Sequence, residues 1–201
     1  IQDRFSKNVK RIQSSNTDEE NMLNVVLLSE FRRRYAHELY STYVKPVIMF
    51  KSQRIDSSNE ANQTFNELID SLTPQSIRDF LLRQKQVGNE RESETLSIAH
   101  DYYRKNDSEL DQIVRDIKRE FAPTRIINAN DSDRGSGMLE KGQYEALNSL
   151  ESPANLYRVI FAVAKLTEGW DVLNLYDIVR ISNYKDTKGD KKTTMAEAQL
   201  I

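Results

Sequence analysis

Apolar positions along the chain recur in two alternating periods. Leu28, Phe31, Tyr35 and Leu39 fall three or four apart, the spacing of one helix face. Thr17 and Glu20 stand upstream as T-x-x-E, which predicts a capping box at that helix's start. PVIMF at 46–50 is short, continuous and apolar and opens with Pro, as a buried strand does. Ser57 and Glu60 repeat the capping pattern, and Phe65, Leu68, Ile69 and Leu72 follow at i, i+3, i+4 and i+7. A second amphipathic helix is therefore expected, ending near Pro74.

The pattern changes over 75–122, which is rich in charge and holds no strand candidate. Ile77, Phe80 and Leu81 predict one helix, Leu96, Ala99 and Tyr103 a second, and Leu110, Ile113, Val114, Ile117 and Phe121 a third. Gly88 and Asn89 mark a turn between them. Beyond Pro123 the alternation resumes. RIINA (125–129), LYRVIFAVA (156–164) and DIVRIS (177–182) read as strands, with a helix through Tyr144, Leu147 and Leu150 after the first. A charged loop at 184–192 should lead into a last helix near Thr193. Strands separated by helices predict right-handed crossovers and a parallel sheet with helices on its faces. The fold class is α/β with an all-helical insertion. We divide the chain into a linker and leading helix (1–44), a first part of the α/β lobe (45–74), the insertion (75–122) and the rest of the lobe (123–201).

Composition narrows the partners. The 201 residues carry a formal net charge of −2, so nucleic acid would be met through a local groove and not through bulk positive charge. The chain has no cysteine, which removes disulfides and thiolate metal sites and suits a cytoplasmic setting. No apolar run reaches the roughly 18 residues of a membrane span. The opening IQDRFSKNVK matches neither a signal peptide nor a natural start, and the last helix is expected to continue past Ile201.

Ligands of an open parallel sheet bind at the carboxyl ends of the strands. That rule selects Lys51-Ser52-Gln53, Asn130-Asp131-Ser132 and the segment Leu166-Thr167-Glu168-Gly169-Trp170-Asp171-Val172. In the last, Gly169 allows a tight turn or close approach. Thr167 offers a hydroxyl to a phosphate, and Asp171 an acceptor to a ribose hydroxyl. An ordinary strand-to-strand connection with a glycine turn has the same composition. The nearest approach to a phosphate loop, Gly137 to Gly142, has Gln143 where lysine is required.

KLTEGWDVLNLYDIVR (165–180) resembles motif V of superfamily 2 helicases, in the form found in the restriction subunits of type III restriction enzymes. KPVIMFKSQ (45–53) is similar to motif IV, and EAQLI (197–201) to the first residues of motif VI. The resemblance covers 45–72 and 124–201 and implies the second RecA-like lobe of an ATP-dependent DNA helicase or translocase. It implies that Lys51, Ser52 and Thr167 contact the DNA backbone, and that Gly169 and Asp171 face ATP. Glu168 and Gln199 would couple the two lobes. The parent would use ATP with Mg²⁺, act on DNA, close against a first RecA-like lobe of its own chain and work with a modification (methyltransferase) subunit. The family's arginine finger falls beyond Ile201, so the chain by itself is not expected to be active.

Two other readings stay open: a phage or plasmid helicase of the same superfamily unrelated to restriction, and a non-catalytic scaffold or interaction module. Smaller features have plain explanations. Arg32, Arg33 and Arg34 could contact DNA, but a solvated helix face is the expected place for them. His37 and His100 lack partners at metal-ligand spacing and read as surface or packing residues. Tyr102 and Tyr103 could stack on bases, but the helical spacing of Tyr103 favours packing.

Overall fold

A computed structural model describes residues 16–88, 93–129, 141–163 and 173–181. It is α/β, with a four-stranded parallel sheet flanked by helices, consistent with a RecA-like lobe. The chain runs α1 (Asp18–Tyr40), β1 (Val47–Ser52), α2 (Ile55–Ser71), α3 (Pro74–Val87), α4 (Glu94–Lys105), α5 (Leu110–Glu120), β2 (Ile126–Ala129), α6 (Lys141–Asn148), β3 (Val159–Val163) and β4 (Leu175–Arg180). The strand order is β2-β3-β1-β4, and every pairing is parallel.

Pleating sends alternate side chains to opposite faces, and the two cores divide accordingly. On one face Ile48, Phe50, Val159 and Phe161 pack with the apolar sides of α1 to α5. On the other, Val47, Met49, Ile127, Ile160 and Ala162 meet Leu147 and Leu150 at the end of α6. At the centre of the first face, Phe50 and Phe161 stack at 4.9 Å, and Phe65 of α2 meets them at 5.3 and 5.8 Å. The three helices expected over 75–122 form, and Ile77, Phe80, Tyr103, Ile113 and Ile117 share the core of that face.

Local signals set the starts of α1 and α3 and the end of α3. Thr17 and Glu20 make the reciprocal capping box. Thr73 caps α3 together with Ser76, with Pro74 in the first turn, where its missing N–H costs nothing. Gly88 ends α3 at φ 76°, a conformation glycine adopts without strain.

Several expectations need correction. Ser57 does not cap α2: the helix starts at Ile55 behind Arg54, whose side chain makes no capping bond. β1 runs almost directly into α2, so the helix begins before the serine is reached. The strand expected over 156–164 is shorter at its start, because Leu156 is exposed and the Asn155 side chain turns the backbone there by accepting from the Tyr157 N–H at 3.0 Å. The apolar stripe of α1 is buried at Leu28 and Phe31, but Tyr35 and Leu39 are exposed.

Candidate functional site

The strand order makes β1 and β3 central neighbours whose onward connections diverge. The connection from β1 passes β3 to reach β2, and the connection from β3 passes β1 to reach β4. Adjacent strands with diverging connections form a switch point, and ligands of open α/β sheets bind beyond the carboxyl ends of such strands. That rule points to the end of the ladder where Ser52 lies opposite Val163.

Lys51 and Ser52 lie at this end of β1. Their parity sends them to opposite faces: Ser52 to the face of Phe50 and α2, Lys51 to the face of Met49 and α6. The Ser52 side chain is 2% exposed, and its Oγ has no hydrogen-bond partner among the described residues. Ser58, in the first turns of α2, is also buried with an unpartnered hydroxyl. A buried hydroxyl without a partner is uncommon enough to need a reason. The Lys51 carbonyl accepts from the Ile181 N–H at 2.9 Å, which continues the β1–β4 ladder past Arg180. On the α2 face, Asn59 accepts from Asn128 of β2 at 2.9 Å. The carboxyl end of the sheet is thus bordered by β1, β2, β3 and the start of α2. Thr167, Glu168, Gly169, Asp171 and Gln199 lie outside the described residues, as does the candidate loop 130–132.

The segment that returns the chain to the sheet before β4 is held from three sides. The Leu173 N–H donates to the Glu151 carboxylate at 2.6 Å, and Asn174 Nδ2 donates to the Leu150 carbonyl at 2.7 Å. The Asn174 carbonyl accepts from the Val47 N–H at 2.8 Å. The β1–β4 register then slips by one residue, so Val47 faces Leu175 but Ile48 faces Asp177. Tyr176 is the extra residue. A bulge of this kind bends a strand and re-aims its side chains. Beside it, Arg32 of α1 forms an ion pair with Asp177 and lies over the Tyr176 ring, 5.3 Å from its centroid. Burial raises the Asp177 carboxyl above the usual carboxylate range, and Arg32 offsets only part of that shift.

This overturns the expectation of a solvated arginine face. Arg32, Arg33 and Arg34 are only 23%, 23% and 14% exposed at the side chain. Arg33 and Arg34 both grip Glu30, which is fully buried, and Arg34 also reaches Asp116 of α5. Their partners lie on the inner side of α1 and on distant elements, which periodicity cannot reveal. Tyr103 is buried, with its hydroxyl donating to the Leu27 carbonyl at 2.6 Å, so packing is its role. His100 is buried against Phe80 and Asn24, and the exposed His37 packs on Tyr43.

No protein-family model matches the chain, and no solved structure matches it. A curated relative does. The chain is similar to a Res subunit. That relative is the "Probable type III restriction-modification enzyme HindVIP Res subunit" of Haemophilus influenzae, 28% identical over 200 aligned residues that cover 96% of this chain. The chain spans only 39% of the relative's length. The similarity supports a Res-like relationship. Among the described residues no helix is long and apolar enough to cross a membrane.

Proposed function

We propose that this chain is the second RecA-like lobe of an ATP-dependent DNA helicase or translocase, within a parent resembling the restriction subunit of a type III restriction enzyme. The observation that carries the reading is the similarity to a Res subunit across 96% of the chain. The fold supports it. The strand within the segment resembling motif IV ends at Ser52, and the strand that precedes the motif V segment ends opposite it at Val163.

Under this reading Lys51, Ser52 and Thr167 hold phosphates of one DNA strand, contacts that position without reading sequence. Gly169 and Asp171 face ATP, with Asp171 near the ribose, and Glu168 and Gln199 pass closure between the lobes. ATP and Mg²⁺ bind between this lobe and the first. Phosphoryl transfer then depends on positioned charge around the γ-phosphate. The parent would cut DNA through a separate nuclease domain and work with a modification subunit that reads the site.

The test compares DNA-stimulated ATP hydrolysis by the full-length parent with that of its Asp171→Ala variant. The reading expects hydrolysis in the wild type and its loss in the variant, with the circular dichroism spectrum unchanged. Equal hydrolysis in both removes Asp171 from the nucleotide site. No hydrolysis in the wild type favours a scaffold instead.

A further inference from the structure

We propose that the amino end of the sheet, opposite the candidate site, is a docking face covered by an uncharged, apolar face of another domain of the same polypeptide. The inference rests on the longer parent proposed above, and it concerns a surface that no motif covers.

The strands are parallel, so the segments that lead into them gather at one end. These segments expose large apolar side chains. Leu156 precedes β3 and Leu173 precedes β4, and both are more than half exposed. Tyr43 precedes β1 and is 81% exposed. α1 meets the start of the sheet where Ser29 Oγ donates to the Pro46 carbonyl at 3.3 Å, and its last turn carries Leu39 and Tyr40, both exposed. Single exposed apolar residues are ordinary, but several at one end of a domain mark a contact surface. β3, β1 and β4 are neighbours, and the segments before them are tied together. Lys45 Nζ donates to the Ser152 and Asn155 carbonyls, and the Val47 N–H to the Asn174 carbonyl at 2.8 Å. Beside Leu156 a hollow of about 460 Å³ is walled by Ala146, Asn155 and Tyr157, with Glu145 the charged residue in its wall.

The chemistry of this end and the length of the parent decide what covers it. Among the described residues, the cations leading into the strands are engaged: Lys45 by carbonyls, Arg125 and Arg158 by Glu120. A DNA backbone would find none of these charges free to meet it. Tyrosine and leucine with few free charges make the core of a protein interface. The stretch aligned with the Res relative is 39% of that protein's length, so a parent of that kind has further chain enough to supply the covering face.

The test places the photo-crosslinker benzoylphenylalanine at Tyr43, and separately at Leu156, in the full-length protein. Both side chains are exposed, so neither change should disturb the fold. On irradiation both are expected to link, at monomer mass, to one region of the same polypeptide outside residues 1–201. The double variant Tyr43→Asp, Leu156→Asp is expected to speed hydrogen exchange in that region by about tenfold, with exchange in β1 and β3 unchanged. Products of dimer mass would put a second copy on this face and overturn the inference. No product from either position, or the same links from Leu82 on α3, would overturn it as well. DNA-stimulated ATP hydrolysis by the unmodified protein checks the proposed function separately, because the inference needs the longer parent and not its activity. Cross-links without hydrolysis would sink that function and keep the docking face, and hydrolysis without cross-links would do the reverse.

Discussion

The guanidinium of Arg158, 1% exposed, donates to the carboxylate of Glu120 at 2.6 Å. Arg158 sits just before β3 and Glu120 ends α5, so the pair joins the helical stretch to the sheet. The remaining donors of Arg158 go to the Pro46 carbonyl and to Ser29 Oγ, both at 3.0 Å, and its plane lies over Phe121 at 4.9 Å. Burial alone lowers the Arg158 pKa, and Glu120 and Glu30 oppose that shift.

Removing Glu120 would leave a buried cation without its charge partner. Glu120→Ala is therefore expected to destabilise the fold by about 3 kcal/mol. The double variant Glu120→Ala, Arg158→Met should be more stable than Glu120→Ala alone, because the stranded charge is gone. Urea denaturation of both variants checks this. A loss below about 1 kcal/mol in Glu120→Ala would mean that Ser29, Pro46 and Phe121 suffice for Arg158.

Asp177 gives the fold a pH dependence with a definite sign. Its carboxyl is raised above the usual range, chiefly by burial. A group with a raised folded-state pKa binds its proton more tightly when folded. Its contribution is complete below the unfolded value and declines as pH rises through the folded one. Asp177→Asn removes the titration. The stability of the wild type minus that of the variant is therefore expected to be largest near the acid end and to fall as pH rises from about 4 toward 7. Denaturant midpoints of both proteins across that range measure it. A difference that instead grows with pH would mean that Arg32 wins over burial and holds the carboxyl low.

What could be read in advance divides by the range of the interaction. The four strands, the Thr17 cap and the helices over 75–122 follow from nearest-neighbour chemistry and periodicity, and all of them form. The arginine run 32–34 was misread because its partners Asp177 and Asp116 are 145 and 82 residues away, and no spacing rule joins them. Glu30 was equally hidden: a glutamate beside two arginines at i+3 and i+4 looks like a surface pair, yet it is fully buried. The bulge at Tyr176 depends on register, which is set by the partner strand and not by residues 175–180 alone. At the candidate site, Lys51 and Ser52 could be placed from the end of an apolar run. That β1 and β3 diverge above them needed the strand order.

Ser52 separates function from folding more sharply than any other residue described. Its hydroxyl is buried beside α2 without a partner among the described residues, and removing an unsatisfied buried polar group is neutral or favourable for stability. Ser52→Ala is therefore expected to leave stability unchanged or raise it by up to about 1 kcal/mol. If the hydroxyl is kept for a phosphate, the same variant of the full-length protein should bind DNA more weakly, with a shallower salt dependence. Thermal melting and a salt titration of DNA binding, done on one preparation, read both effects. A variant that is less stable and binds DNA normally would show that Ser52 has a structural partner and no phosphate to hold. A stability gain together with weaker binding would be the trade expected of a binding residue, kept at the expense of the fold.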